Sequence, residues 1–505
     1  MNLAPLAAPE VLESSLREGV PVRSQREDHQ AWAAHAARVG HCHRPVKLVG
    51  QAHTIDGATG VILSTLDSDV LPDGVLYVKC GNRRASACQP CSREYGADMW
   101  HLLRAGAAGG AKGVPTSVVT HPMVFATLTA PSFGPVHAVK RPGSTTRRCR
   151  PRSRGERCPH GVNLSCMAVH QPGEPAIGQP MCIECYDYEA HVVWQWWAPE
   201  LWRRFTIALP RVIAKQLHVT QKQARRLVRV SFAKVGEYQQ RGVIHFHAII
   251  RLDGPPDDDE PFPAPLLDVD SRWLGDRIRD AAAKVELTAP PAYRDGPEQL
   301  LRFGDQVDAR PIHLRAGRDD LDGPINPETV AAYIAKYSTK SAADLDPAER
   351  EHGNVHLARL RRTVLRLADG ADELYPPGGP LDNPYALLGK WAHMLGFRGH
   401  FASKSRRYST TLTKIRGTRR RFQRAKTRNP HGVIDVAALD RKDQDETTLV
   451  IGSWRFVGTG WLTDEDTATA VASAARAREG ARDRRSAQTD FEKREGREDD
   501  DSNGA

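Results

Sequence analysis

The stretch Gly242-Val-Ile-His245-Phe-His247-Ala-Ile-Ile-Arg-Leu-Asp-Gly254 reads as a β-strand. Gly242 opens it, Asp253-Gly254 closes it, and the interior is mostly β-branched, aromatic or aliphatic. Side chains alternate between the faces of a strand, so Ile244, Phe246, Ala248, Ile250 and Leu252 share one apolar face that belongs in a core. His245 and His247 share the other face. Two imidazoles so placed can hold one divalent cation, and the same pattern also suits two half-buried histidines of an amphipathic strand. Just upstream, Ser231 to Tyr238 reads as the partner strand and Gln239 to Gly242 as the turn. Across that hairpin the Glu237 carboxylate can complete a metal site or remain a surface group, with Gln239 as a weaker substitute.

A second stretch changes the weight of the first. Asn326-Pro327-Glu328 carries helix-start punctuation: an N-cap, a proline at the first helical position and an acid in the first turn. At about 100° per residue, Tyr333, Lys336, Tyr337 and Lys340 fall on one stripe about 100° wide. A tyrosine pair at this spacing is often core packing. Two lysines interleaved with it favour a solvated or anion-facing surface instead. A phenol beside ammonium groups is expected to ionise below its usual pKa of about 10 and to become a nucleophile toward phosphorus.

The two stretches together resemble the HUH endonucleases, which carry His-hydrophobic-His on a strand and then a Tyr-x-x-x-Tyr helix with lysines. The upstream Phe-x-Thr-Leu-Thr strand of that family stands here as Phe125-Ala126-Thr127-Leu128-Thr129. The order of motifs, the run Gly396 to Tyr408 and the cysteine-rich first half are similar to RepSA-like rolling-circle initiators of actinobacterial plasmids and integrative elements. The resemblance covers roughly residues 40 to 465. It implies an α+β fold: an HUH nuclease domain with a central antiparallel sheet, ferredoxin- or RRM-like, flanked by helices. It also implies tyrosine transesterification with a 5′-phosphotyrosyl intermediate, a divalent metal (Mn²⁺ or Mg²⁺), an origin that is single-stranded at the nick, and a host helicase and polymerase as partners. A transposase of the same chemistry, or a non-enzymatic zinc-containing DNA-binding regulator, is the competing expectation.

Nine cysteines are unlike a disulfide framework in a reducing compartment, and their clustering points to zinc. Cys88-Gln-Pro-Cys91 with Cys80 and the distant Cys42 makes one expected tetrahedral site. Cys158, Cys166, Cys182 and Cys185 make the second, with Cys149 and His160 as possible substitutes. Two structural zinc ions are therefore expected.

Net charge is +10 and the sequence pI is near 9.2, which favours a polyanionic partner. From Phe397 to Arg428 there are 12 lysines and arginines and no acid. Arg398, Lys404, Arg406, Arg407, Lys414 and Arg416 are the candidate DNA contacts within it. Trp194, Trp196, Trp197 and Trp202 can stack on bases but suit a helix packed on a core better. No run is long and apolar enough to span a membrane, no signal peptide is evident, and a cytoplasmic location is expected. No Gly-x-x-x-x-Gly-Lys-Ser/Thr loop occurs, so no ATP-driven helicase is built in.

The expected divisions are a helical segment at 1–40, a first zinc-binding region at 41–119, and the nuclease domain at 120–430. That domain carries a zinc-binding insertion at about 140–190. A hairpin follows at 431–465, then a tail at 466–505 that passes from helix to disorder.

Overall fold

The computed structural model describes residues 23–140, 147–152, 156–256, 259–313, 325–340, 342–345, 354–428, 434–435, 439 and 448–502. Two compact units divide the chain. One combines its two ends, Met1–Tyr95 with Arg441–Ala505, and the other is the continuous middle, Gly96–Asp440. In chain order the strands are β1 (Val46–Asp56), β2 (Ile62–Asp67), β3 (Leu76–Val78), β4 (Met123–Leu128), β5 (Arg229–Tyr238), β6 (Ile244–Asp253), β7 (Glu286–Ala289), β8 (Gln299–Arg302), β9 (Val307–Pro311), β10 (Ala402–Lys404) and β11 (Thr448–Thr459). The longer helices are α1 (His29–Arg38), α2 (Gln89–Ala108), α3 (Tyr188–Gln216), α4 (Ser271–Ala283), α5 (Pro327–Tyr337), α6 (Val355–Leu374), α7 (Leu412–Arg428) and α8 (Asp464–Ser502).

In the unit built from the chain ends, β1 lies between β11 and β2, antiparallel to both, and β3 pairs with one end of β1. Its core gathers Trp32, Ala36, Val39, Tyr77, Trp461 and Ala470 around Cys42, Cys88 and Cys91. Leu449 to Leu462, with Trp454 and Trp461, reads as a hairpin, but the structure has one long strand there. Its partner is β1, in a register running from Val46 opposite Thr459 to Asp56 opposite Thr448. Gly452 allows the close approach of the two strands: a Cβ there would lie 2.8 Å from the Ala52 Cβ. Helix α8 runs on to Ser502, through the acidic stretch expected to be disordered.

The middle unit is organised on an antiparallel sheet in the order β10-β5-β6-β4-β9. This agrees with the mixed helix and antiparallel-sheet class expected, with β4 beside the histidine strand. On one face Ile244, Phe246, Ala248, Ile250 and Leu252 are buried with Val124, Ala126 and Leu128, and residues of α3, α4 and α6 complete that core. The tryptophans of α3 belong to it: Trp194 and Trp196 are buried, and their indole N–H groups donate to the carbonyls of Arg302 and Pro384 at 2.8 and 3.0 Å. Packing, not base stacking, explains that run. On the other face of the sheet lie Glu237, His245, His247, Phe125 and Thr127, by the same alternation.

A buried ionic cluster fixes the far end of that face. Arg251 and Asp253 are both fully enclosed. The Asp253 carboxylate accepts from Ser231 Oγ at 2.5 Å and from Arg251 Nε at 2.6 Å, and lies 2.9 Å from His121 Nδ1. Arg251 also donates to the Gly106 carbonyl of α2 and to that of Tyr408. Gly106 is required there, because a Cβ would fall 2.2 Å from the Tyr408 ring. Burial opposes the charge on Asp253, yet His121 and Arg251 outweigh it and hold the carboxyl well below its ordinary range. A depressed pKa contributes stability above the unfolded value of about 4, and that stability is lost as pH falls through the acid range. Asp253→Asn is expected to cost about 3 kcal/mol at pH 7, since it leaves a buried guanidinium uncompensated. Urea denaturation at pH 7 and pH 3 checks this: the gap between wild type and variant should shrink at the lower pH.

Candidate metal and tyrosine site

The register of β5 on β6 places Glu237 directly opposite His245. One carboxylate oxygen, Glu237 Oε2, stands 3.0 Å from His245 Nε2 and 2.9 Å from His247 Nε2. The three sequence-expected ligands are therefore together, and each has a donor atom within 4.8 Å of the others. Burial would raise the Glu237 carboxyl, but hydrogen bonds from His245 and His247 prevail and lower it to about 2. Burial also lowers His247, which favours the neutral imidazole that a metal requires. The ring is held from behind: its Nδ1 lies 3.0 Å from Oγ1 of Thr127, the first threonine of the β4 motif. Asp308 of β9 pairs with Thr127 and adds negative charge near His247. The motif Phe125 to Thr129 includes Thr127 without giving it a contact, and no sequence pattern marks Asp308. Two imidazoles and a carboxylate converging from rigid strands make a donor set suited to a divalent ion.

Helix α5 presents its tyrosines to this cradle. Asn326 caps it by accepting from the Glu328 amide at 2.8 Å, and Val330, Ala331, Ile334 and Ala335 form its buried side. The Tyr333 ring centroid lies 5.5 Å from that of His247, and the Tyr337 centroid 5.9 Å from it. The two phenol rings are 4.8 Å apart. Lys340 Nζ stands 4.6 Å and Lys336 Nζ 5.9 Å from the Tyr337 ring centre, so all four stripe residues share one locale. The expected ease of ionisation is not what the site gives. Burial pushes both phenols up, and the Glu237 carboxylate adds to the effect.

The thiols fall into three sets where two were expected. Cys42, Cys80, Cys88 and Cys91 converge as expected, with Cys42 Sγ 3.7 Å from Cys88 Sγ and 3.6 Å from Cys91 Sγ. Contact with Cys42 holds the Cys88 thiol well below its ordinary range and pushes Cys91 well above it, as expected of sulfurs sharing protons. The second set is Cys158, His160, Cys182 and Cys185. His160 takes the place expected for Cys166, its Nδ1 lying 3.2 Å from Cys185 Sγ. Cys166 joins Cys149, His137 and His170 in a third set. The cause is a short antiparallel bridge between Arg150 and Cys166, which draws Cys166 toward Cys149 and away from Cys158. All three sets can bind metal ions such as zinc.

The basic tract is partly occupied by the fold itself. Arg416 and Arg419 pair with Asp98, a buried acid of α2 that answers charges expected to have no internal relief. Lys404 Nζ donates to the carbonyls of Ser405, Arg406 and Ser409. Arg398 stacks over Trp196, 4.2 Å from its ring centre. Arg406 and Arg407 are exposed and Lys414 half-exposed.

These features lie in a replication initiator. The chain belongs to the RepSA family, whose sequence model, described as "Replication initiator protein, pSAM2", matches residues 28–475. A replication initiator protein of Streptomyces ambofaciens is 38% identical over 461 residues, which cover 88% of this chain and 90% of the relative. No solved structure matches the chain. Among the described residues no helix is long and apolar enough to cross a membrane.

The Thr127 contact generates a test. Thr127→Val keeps the shape but removes the oxygen that orients His247, and a lost outer contact of this kind typically costs 10–100-fold in metal affinity. Titration of the variant with Mn²⁺, followed by electron paramagnetic resonance of the free ion, should show at least a tenfold weaker site. Unchanged affinity would remove Thr127 from the site.

Proposed function

We propose that this initiator nicks and rejoins one DNA strand at a plasmid origin, as an HUH-type tyrosine endonuclease in rolling-circle replication. The observation that carries this reading is the pair of phenol rings packed against the imidazole of a His-His-Glu cradle, that of Tyr333 edge-on and that of Tyr337 tilted. His245, His247 and Glu237 would hold a divalent cation, Mn²⁺ or Mg²⁺, whose charge would polarise a bound phosphodiester. The oxygen of Tyr333 or Tyr337 bonds to phosphorus, and the bond from phosphorus to the 3′ oxygen breaks. The phenolic proton is balanced by the proton taken up at the released 3′-hydroxyl. A 5′-phosphotyrosyl link conserves the ester, and the 3′-hydroxyl serves a host polymerase while a host helicase opens the duplex. Lys336 and Lys340 stabilise the negative charge that develops at the phenol and at phosphorus. Since burial keeps both phenols protonated, that stabilisation has its largest effect once the strand is in place. The second tyrosine, one helical turn away, takes over the strand when the circle closes.

The first two cysteine sets serve this reading as structural zinc sites, one in each unit. Arg406, Arg407 and Lys414 are the candidate phosphate contacts of the basic tract, whereas Arg398, Lys404 and Arg416 act first in holding the fold. A non-enzymatic DNA-binding regulator would use the same cysteines and the same tract, but it gives no role to two tyrosines beside a metal cradle.

A single-stranded origin oligonucleotide, labelled 3′ of the nick and incubated with Mn²⁺, should become covalently attached to the wild-type chain on a denaturing gel. Tyr333→Phe and Tyr337→Phe should each alter nicking or rejoining, and the double variant should lose the adduct. An adduct that survives in the double variant excludes these nucleophiles. His245→Ala combined with His247→Ala should lower nicking by at least a thousandfold while origin binding stays within a few-fold of wild type. Absence of any adduct with wild type, with binding intact, would favour the regulator.

A further inference from the structure

The insertion after β4 lacks the means to fold by itself. Between His137 and Met181, among the described residues, the only buried side chains are those of Cys149 and Cys158. Val139, Val162, Met167 and Val169 are exposed, and no residue of that stretch joins either of the two larger core clusters. A segment without an apolar core needs a covalent or metal staple to keep one conformation. The second set, Cys158, His160, Cys182 and Cys185, supplies one such staple but lies at one end of the segment. The other end, where the chain pairs Cys149 with Ala168 and Arg150 with Cys166, is left to the third set.

We propose that His137, Cys149, Cys166 and His170 bind a third structural zinc ion, which fixes the insertion against the turn that leads into the histidine strand. The donor spacing fits. Zinc bonds of about 2.3 Å to sulfur and 2.0–2.1 Å to nitrogen, at tetrahedral angles, set about 3.3 Å between two nitrogens and about 3.6 Å between nitrogen and sulfur. Here His137 Nδ1 lies 3.1 Å from His170 Nε2, Cys166 Sγ 3.6 Å from His170 Nε2, and Cys149 Sγ 3.9 Å from His137 Nδ1. The surroundings fit as well. The His170 ring turns its Nδ1 to Glu174 Oε2 at 2.7 Å, so the proton belongs on that side and the Nε2 lone pair points into the set. Glu174 is itself fixed by the Gln171 amide at 2.7 Å. The Ala138 amide donates to Cys149 Sγ at 3.3 Å, as backbone amides donate to the sulfurs of Cys42, Cys80 and Cys88 in the first set. With this assignment each of the nine cysteines of the chain belongs to a metal set.

The ion would act at a distance from the tyrosines. Gly178, at the base of the insertion, packs so closely on the turn that a Cβ there would lie 2.4 Å from the Gln240 carbonyl carbon. A groove of about 760 Å³ opens beside this contact, with Arg150, Arg241 and Arg302 on its walls. Arg150 follows a ligand directly, so its position depends on the set being closed. The inference stands whether or not the tyrosine site cleaves DNA.

Mass-spectrometric mapping of iodoacetamide labelling on the native full-length chain tests it. Cys166 is only half-buried. With zinc bound it should label at least tenfold more slowly than after treatment with a chelator, and returning zinc should restore the protection. The Cys149→Ser, Cys166→Ser double variant should then bind one zinc fewer per chain by elemental analysis, and His160→Ala should leave the protection of Cys166 intact. Rapid labelling of Cys166 in the zinc-loaded native chain would overturn the proposal. So would a zinc content that the double variant does not lower. If the variant fails to fold, the native labelling result decides alone.

Discussion

One carboxylate oxygen caught between two imidazoles governs the middle unit. Glu237 is drawn into a half-buried site because β5 pairs with β6 in the one register that sets it opposite His245. A slip of one residue would send both histidines into the apolar core and bring Phe246 out to the helix. The register is held at the far end by Asp253, which ties Ser231 of β5 and Arg251 of β6 to His121. The charged cluster and the metal cradle are thus two ends of the same hairpin, and the placement of Tyr333 and Tyr337 depends on both.

Much of this was legible because it is periodic or local. The two faces of β6 follow from alternation, Glu237 from the hairpin, and the start of α5 from Asn326 and Pro327. Cys88 and Cys91 are read from their spacing alone. What escaped depends on contacts between distant segments. His137 and His170 sit in a stretch with no periodicity, so nothing in their spacing marks them as ligands. The sequence alone leaves Cys149, Cys158 and Cys166 to be divided by choice, whereas the bridge to Arg150 decides the neighbours of Cys166. Asp98 lies more than 300 residues from Arg416, and the basic tract read as unrelieved until that pair was seen. The lysines beside the phenols predict easy ionisation, but burial, which depends on the packing of α5 on the sheet, acts the other way.

Charge in this protein is used twice. Arginines that would suit a phosphate backbone are partly spent inside the fold, on Asp98, on Asp253 and on tryptophan faces. Arg406, Arg407, Arg420, Arg424 and Lys426 remain exposed. A basic isoelectric point is therefore a poor count of the contacts available to a nucleic acid.

The pairing of β1 with β11 has a consequence for biosynthesis. A ribosome releases Val46–Asp56 long before Thr448–Thr459 exists, so the first strand must wait, with its edge uncovered, for nearly the whole polypeptide. The middle unit is continuous and can close while translation goes on, whereas its companion is completed only once the segment after the middle unit has been made. A truncated product would carry the middle unit with an unfinished sheet and an exposed strand edge beside it in the chain, a species prone to aggregation.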